Sequence, residues 1–312
     1  MLLLSLIACD RGVPIPADDT QALHVIDVNV GPNKPLILGD AIEIAFDRYL
    51  DPATATRQSF AVLDGAGALT PTPQVDYDPE TRTVRITAAS DPWLQLDQPH
   101  TLIIGIPREG EILGGVRGLD GGTLTPEQNL RVAFMVRAGR PRPQAPPVSF
   151  CEHIQPLFVR ACASCHDGST IGLDLRDARG IERTALGKVA RTSVTSPLPQ
   201  ATSVGVGNAT LLTPPSAATS YLFDKIMLHP PSTAESRALC TQQNDAVEEA
   251  HCVQIVDDPG DAERALLGER VQGMAMPPAD SGIAPLSLHE RRLLSRWIRE
   301  GSPLATCTER CL

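Results

Sequence analysis

The chain has 312 residues, which is the length of about two domains of ordinary size. Hydrophobic residues make up 42% of the sequence and charged residues 21%, so neither wholesale disorder nor a polytopic membrane protein fits the composition. The formal net charge is −10, from 27 basic and 37 acidic residues, and this balance argues against a nucleic-acid partner.

The first segment, residues 1–20, is an apolar start followed by a polar tether. Residues 1–8 read MLLLSLIA, which is too short to span a bilayer but is typical of the apolar region of a secretory signal. The four residues that end at Cys9, Leu-Ile-Ala-Cys, resemble the bacterial lipobox, in which the cysteine becomes the lipidated N-terminus. This resemblance implies an exported lipoprotein of the periplasm or outer envelope that is anchored to the membrane through Cys9. The alternative is a frayed apolar tail with a free thiol.

Residues 21–138 predict an antiparallel β-sandwich. Alternation of apolar and other residues is clear over 42–46, where Ile42, Ile44 and Phe46 share one face. Turn-forming Pro, Gly and Asp clusters separate short runs of strand character, and no helical period interrupts them. The predicted strands lie at 22–30, 41–46, 60–63, 84–87, 101–106 and 131–136.

The same region resembles the bacterial Ig-like domain found in S-layer and other surface proteins. The resemblance is carried by the segments 42–47, 50–54, 77–79, 82–86 and 119–122. It implies a spacer or a module for protein contacts rather than catalysis. Four aspartates in this region suit either calcium or the capping of turns, and turn caps are the commoner role. They are Asp47, Asp51, Asp76 and Asp78.

The segment 139–149 predicts a domain boundary. It contains four prolines between Gly139 and Pro147, so we expect an extended and semi-rigid linker. The second domain is then expected over residues 150–312.

The motif with the clearest chemistry is Cys162-Ala-Ser-Cys165-His166, at the end of a predicted helix. C-x-x-C-H is the attachment sequence of c-type haem: two thiols form thioethers with the haem vinyl groups, and the histidine follows at once to reach the iron. Zinc would need a second pair of ligands at metal spacing, which the sequence lacks. A thioredoxin-like site would need a βαβ context, which is also lacking.

Helical patterns flank this motif on both sides. Ser149 begins a possible capping box before the apolar face of the first helix, and Pro156 should kink that helix or delay its start. Ser287 and Glu290 form a second capping box before an apolar face that includes Trp297. We expect Trp297 to pack between the first and last helices.

Between these helices lies the loop Gly273-Met-Ala-Met-Pro-Pro278. A methionine sulfur is a soft, uncharged ligand for haem iron. The proline pair after Met276 should hold the loop out of helix and sheet.

These segments together resemble a bacterial monohaem cytochrome c domain, over about residues 150–305. The resemblance implies that His166 is the proximal ligand of the haem iron and Met276 the distal ligand. Met274 is an alternative to Met276, and His229 or His251 could replace both. It also implies one covalent haem c, bound through Cys162 and Cys165, and an exposed haem edge for redox partner proteins.

The remaining cysteines suggest disulfides. Cys240 and Cys252 lie in an apparent insertion and are the main candidate pair. Cys307 and Cys311 could pair with each other, or one of them could reach Cys151.

The sequence therefore predicts a multidomain chain, with an all-β Ig-like sandwich followed by an all-α cytochrome c domain. The expected function is one-electron transfer at the cell envelope, without enzymatic activity. The alternatives are a surface or adhesion lipoprotein with a structural haem, and a haem subunit of a larger oxidoreductase or peroxidase.

Overall fold

A computed structural model gives the structure of the protein. It describes residues 22–71, 73–88, 93–105, 115–125, 130–143, 145–169, 172–188, 217–230, 261–271 and 273–307. The predicted lipidation site Cys9 lies outside these ranges, as do Cys240, Cys252, Cys311 and His251.

The first half of the described chain consists of eight short strands. In the third strand, Ile42, Ile44 and Phe46 are buried while Glu43 is half-buried, which is the alternation expected of a strand with one face on a core. The strands are β1 Val25–Val28, β2 Leu36–Ile37, β3 Ile42–Phe46, β4 Phe60–Leu63, β5 Gln74–Asp78, β6 Thr83–Thr87, β7 Pro99–Ile104 and β8 Arg131–Arg137.

The strands form two four-stranded sheets, in the orders β1-β3-β6-β5 and β2-β8-β7-β4. Neighbouring strands are antiparallel, with Ile44 opposite Val84 between β3 and β6. The pair β2 and β8 is the exception, because it runs parallel with Leu36 opposite Val136. The predicted strands at 22–30, 41–46, 60–63, 84–87, 101–106 and 131–136 overlap β1, β3, β4, β6, β7 and β8, whereas β2 and β5 were not predicted.

The buried faces of both sheets supply one apolar core. Residues from β3 and β6 in one sheet and from β7 and β8 in the other are almost fully inaccessible to water. This burial of aliphatic and aromatic surface is the main source of stability for this half.

The second half contains five α-helices in its described part. They are α1 Gln155–Ala161, α2 Ala178–Thr184, α3 Tyr221–Met227, α4 Asp261–Arg270 and α5 Leu288–Arg299. Side-chain caps define several starts: Asp177 accepts the Gly180 amide at α2, and Ser220 accepts the Phe223 amide at α3. The predicted capping box at Ser287 is present at the start of α5.

The expected fold class, an Ig-like sandwich followed by an all-α cytochrome c domain, is wrong. The described structure is rich in β-sheet, and its five α-helices have only seven to twelve residues. The helices are short for local reasons: α1 carries Pro156 in its first turn and gives way to the turn at Cys162, and Gly301 follows α5 with φ 92°. Turns and irregular segments occupy much of the described second half.

A second apolar core gathers around Trp297 of α5. The Trp297 ring is fully buried and meets the Phe158 ring edge-on, with 6.1 Å between ring centroids. The Phe150 ring packs against Trp297 at the same centroid distance, and the indole N–H donates to the carbonyl of Pro303 at 3.0 Å. The expected packing of Trp297 between the first and last helices is confirmed.

The linker is bound at both ends. The Arg142 amide donates to Asp40 Oδ1 at 2.8 Å on the sandwich side. The Val148 amide donates to Glu300 Oε2 at 2.8 Å on the helical side, and the Val148 side chain is buried. These contacts join the two halves along the segment predicted as a boundary.

Candidate functional site

The C-x-x-C-H motif occupies the turn that ends α1. Cys162 is the C-cap residue, and its amide donates to the carbonyl of Phe158 at 2.9 Å. The chain then reverses tightly, because the amides of Cys165 and His166 both donate to the carbonyl of Cys162, at 3.2 and 2.9 Å. Two cysteines and a histidine are thereby collected in a single turn of backbone.

The two thiols of this turn lie in different surroundings. Cys162 is buried and belongs to the second core, whereas Cys165 is exposed. Burial raises the pKa of the Cys162 thiol to about 12, because the thiolate would lose its hydration. Cys162 is therefore a protonated thiol at neutral pH.

His166 is buried and neutral at physiological pH. Burial lowers the pKa of the imidazole, because a charged ring would be poorly solvated there. Its Nδ1 atom is buried and has no hydrogen-bond partner among the described residues. The ring thus has a nitrogen that no protein group in the described part occupies.

A small hairpin fixes the backbone after His166. The carbonyl of His166 accepts the Leu175 amide at 2.9 Å, and the Gly168 amide donates to the carbonyl of Leu173 at 2.9 Å. Asp167 and Asp174 form an isolated antiparallel bridge between the two arms. His166 is therefore held by backbone hydrogen bonds on both sides.

Asp174 secures this hairpin against α2. Its carboxylate is almost fully buried and pairs with the guanidinium of Arg176 at 2.9 Å and that of Arg183 at 3.4 Å. The hydrogen bonds from Arg176 are the first cause of the lowered pKa of Asp174. Gly180 makes room for the carboxylate, because a Cβ there would stand 2.5 Å from Asp174 Cγ.

The methionine loop docks on the end of α3. The amide of Met276 donates to the carbonyl of Lys225 at 3.0 Å, and Lys225 Nζ donates to the carbonyl of Met274 at 3.0 Å. The side chain of Met274 is 64% exposed, whereas Met276 is half-buried. Met276 is therefore the less exposed of the two methionines, and its predicted role as a ligand stays a prediction.

His229 also holds this loop. Its Nε2 lies within hydrogen-bond distance of the carbonyl of Pro277, and a carbonyl only accepts, so Nε2 carries the proton. That nitrogen is therefore engaged with the loop rather than available as a ligand. The other rival of Met276, His251, lies outside the described residues.

The identification as a monohaem cytochrome c domain, with haem c and iron as its cofactor, is not retained. Across the described ranges, no group of three or more His, Cys, Asp and Glu side chains converges closely enough to hold a metal ion. This correction also removes the haem-based and iron-based descriptions of the chain, while the roles of Cys162, Cys165, His166 and Met276 stay predictions.

The four aspartates considered for calcium have protein partners. Asp47 pairs with Arg48 at 2.9 Å, and Asp51 Oδ1 accepts the Ala53 amide in a turn at 3.1 Å. Asp78 accepts from the Ser295 hydroxyl, and Asp76 lies 3.8 Å from the Arg299 guanidinium. Asp47 and Asp51 stabilise the loops in which they lie, and Asp76 and Asp78 contribute to the contact between the two halves.

That contact is a cluster of opposite charges that sequence reasoning missed. Asp78 Oδ1 accepts the Ser295 hydroxyl at 3.0 Å, and Asp78 Oδ2 lies 3.7 Å from Arg299 Nη2. Glu80 is buried beside them. Ser295 and Asp78 are 217 positions apart, so no local pattern could have revealed their contact.

Cys151 and Cys307 form a disulfide with a Cα–Cα distance of 5.4 Å. One of the pairings left open from the sequence is thereby confirmed, and Cys162 and Cys165 are free. Structural disulfides belong to oxidising compartments, which supports the expected export of the chain. Among the described residues, no helix combines the length and apolar character needed to cross a membrane.

Comparisons with known proteins give few relatives. No protein-family model matches the chain, and no curated protein matches it. Solved structures that match include the S-layer protein rSbsC, at 16% identity and a TM-score of 0.27, over 41% of this chain and 15% of that one. The N-terminal part of the bacterial S-layer protein SbsC matches at 16% identity and the same TM-score, over 42% of this chain and 26% of that one.

The chain thus spans about a quarter or less of the length of these S-layer proteins. A TM-score of 0.27 is too low to indicate a shared fold, so no argument about architecture or activity follows from these matches. The comparisons assign this chain to no family.

Proposed function

We propose that this chain is an exported electron-transfer protein of the cell envelope, and that the turn from Cys162 to His166 is its reactive centre. In this proposal, Cys162 and Cys165 hold a redox group covalently, and electrons pass singly to partner proteins. The observation that carries the proposal is the meeting of a buried thiol, an exposed thiol and a neutral imidazole in one turn at the end of α1.

The surroundings of the thiols favour covalent attachment over thiol–disulfide exchange. Thiol–disulfide exchange needs an attacking thiolate, and burial raises the pKa of Cys162 to about 12, so Cys162 does not suit that role. The pair also lies at the C-terminal end of α1, where the helix dipole disfavours negative charge. Addition of each thiol across a carbon–carbon double bond of the attached group, with the S–H proton going to the neighbouring carbon, would give a thioether that carries no charge and is compatible with both conditions.

The remaining residues of the site hold the imidazole and the backbone of the turn in place and shield them from water. The backbone of His166 is held by hydrogen bonds to Cys162 and Leu175, so its imidazole is presented in a fixed place. Burial keeps the ring neutral, which leaves a nitrogen lone pair available. Asp174 fixes the far arm of the hairpin through its ion pairs, and we propose that Met276 lines the same site from the loop on α3.

The proposal includes no enzymatic activity of the chain itself. It does include a membrane anchor: lipidation at Cys9 would hold the protein at the envelope, where redox partner proteins are the expected partners. Replacement of Cys9 by serine should then release the exported protein from the membrane fraction. Retention of the Cys9→Ser protein in that fraction would count against the anchor.

The attachment is tested by mass spectrometry of the exported, mature protein. The peptide that contains Cys162 and Cys165 should carry one added mass bridging both sulfurs, and neither sulfur should react with iodoacetamide after unfolding. Cys162→Ala combined with Cys165→Ala should abolish both the adduct and reversible one-electron oxidation in a redox titration. Ser164→Ala is the control, because it changes an exposed side chain of the same turn, leaves both cysteines in place and should keep the adduct.

Two outcomes would overturn the proposal. Two unmodified thiols in the mature protein would show that nothing is attached. A disulfide between Cys162 and Cys165 would assign the site to thiol chemistry instead.

A further inference from the structure

The contact between the two halves contains a buried carboxyl that the electron-transfer proposal does not use. Glu80 lies in the turn between β5 and β6 and is only 9% exposed. Its amide donates to Asp78 Oδ1 at 3.1 Å, and its Oε2 atom is buried without a hydrogen-bond partner among the described residues. An ionised carboxylate in that position would lack a donor on one oxygen, which is costly in a buried site.

The charges that face Glu80 come from α5 and from its own strand pair. Arg291 and Arg292 of α5 and Arg82 beside β6 favour the ionised carboxylate, whereas burial and the charge of Asp78 oppose it. Burial is the larger effect, and the pKa of Glu80 is raised to about 7.

Arg291 influences Glu80 through its charge, and the hydrogen bonds of its guanidinium go to other groups. Nε donates to the carbonyl of Leu286 at 3.3 Å, and Nη2 donates to the carbonyl of His229 at 2.9 Å. Nη1 lies 3.8 Å from the sulfur of Met227.

Several polar groups near Glu80 have partners across the contact between the two halves. Arg299 of α5 approaches Asp76 at 3.8 Å and Asp78 at 3.7 Å, and the Ser295 hydroxyl donates to Asp78 at 3.0 Å. On the neighbouring part of the contact, the Tyr49 amide donates to Glu263 of α4 at 2.8 Å. Glu80 Oε2 thus lacks a hydrogen-bond donor among the described residues, within a contact where Asp78, Arg299 and Glu263 have partners.

We propose that Glu80 is a proton-operated latch between the sandwich and the helical half: the halves pack tightly when Glu80 carries a proton and loosen when it loses that proton. Separation of the halves would return the carboxylate to water, where it ionises near its ordinary pKa of 4.5. The docked state therefore binds more protons than the separated state between about pH 4.5 and 7, so docking weakens as pH rises through this window and is constant above it.

The size of the effect follows from the two pKa values. A difference of 7 − 4.5, or 2.5 pH units, changes the docking equilibrium by up to about 300-fold between the ends of the window. The paired groups Asp76, Asp78 and Arg299 keep the halves associated on both sides of it. The latch changes the frequency of opening rather than the docked structure.

Hydrogen exchange of the full-length protein tests the latch. After correction for the intrinsic effect of pH on exchange, protection of the α5 amides should fall by up to about 300-fold between pH 4.5 and 7.5. Protection of β7, in the other sheet, should stay constant. Glu80→Gln, which has nearly the same shape but no ionisable proton, should keep α5 protected at every pH, whereas Glu269→Gln on the exposed face of α4 should behave as wild type.

Identical pH profiles of α5 in the wild type and in Glu80→Gln would overturn the proposal. A second measurement remains decisive if that variant fails to fold. The carboxyl carbon of Glu80, followed by NMR in the wild-type protein, should titrate with a midpoint near 7. A midpoint near 4.5 would show that the carboxylate is stable in the docked contact and that no latch exists.

Discussion

Removal of the Cys151–Cys307 disulfide should destabilise the helical half strongly. The bridge connects the π-helical turn before α1 to the segment after α5, and 156 positions separate its cysteines. Both cysteines also pack against the second core, so the bridge closes the ends of this half over its apolar interior. Cys151→Ser combined with Cys307→Ser removes the bridge while it preserves the size of both side chains.

The magnitude follows from the closed loop. For a loop of this length, the loss of chain entropy in the unfolded state corresponds to about 5 kcal/mol at 25 °C. The free energy of unfolding of the helical half should fall by about this amount, which is a large part of the stability of an ordinary domain. We expect the slope of the transition with denaturant to rise as well, because the unfolded chain without the bridge is less compact.

Guanidinium unfolding followed by helical circular dichroism provides the assay, with and without a thiol reductant. Wild-type protein should lose stability on reduction, and the double serine variant should match reduced wild type and show no further response. A change below about 1 kcal/mol would refute the reasoning, because the bridge would then not constrain the unfolded chain. So would a response of the serine variant to reductant, since it would show that another disulfide carries the effect.

Two further substitutions test the packing around the site by thermal unfolding. Trp297→Ala should lower the free energy of unfolding by about 3–5 kcal/mol, because it empties the centre of the second core and removes the hydrogen bond to Pro303. A decrease below about 1 kcal/mol would contradict this role of Trp297. Gly180→Ala should cost about 1–3 kcal/mol, because the new Cβ would displace the buried carboxylate of Asp174. Gly268→Ala in α4 is the control, because a Cβ at Gly268 would lie 3.7 Å from the nearest atom and would cause no clash. It should stabilise the protein by about 1 kcal/mol through helix propensity. Equal effects at the two glycines would refute the steric argument.

Local patterns predicted the parts of this fold that depend on neighbouring residues. The alternation of Ile42, Ile44 and Phe46 indicated β3, and the spacing of Ser287 and Glu290 indicated the start of α5. In each case the residues that give the sequence pattern are also the residues that form the strand or the helix start. Strand β2 has only two residues and exists through its pairing with β8, so its own sequence carries no comparable signal.

The same distinction explains what was missed at the candidate site. The C-x-x-C-H motif indicated the turn that forms the candidate site, because its residues are adjacent in sequence. The pairing of Cys151 with Cys307 stayed open, because connectivity depends on how distant segments pack. Glu80 belongs to a turn whose sequence gives no sign of burial, and its burial and the facing charges of α5 become visible only in the structure.

The expectation of an all-α second domain failed for a related reason. That expectation followed from the resemblance to a cytochrome c domain, to which two apolar helical faces contribute, one before the motif and one around Trp297. Proline, glycine and the turn at Cys162 keep the helices short, and irregular backbone connects them in the described part. The helical faces were identified correctly, but their presence does not determine what lies between them.

The two apolar interiors of this protein are interlocked, and this limits how the chain can be divided. Tyr49 and Leu119 come from the sandwich half but belong to the core around Trp297, while Ala218 comes from the helical half and belongs to the sandwich core. A cut anywhere in residues 139–149 would leave each fragment with apolar surface that its own residues do not cover. Either fragment alone would then be prone to self-association, so evolutionary exchange of one half should require matching changes in the other.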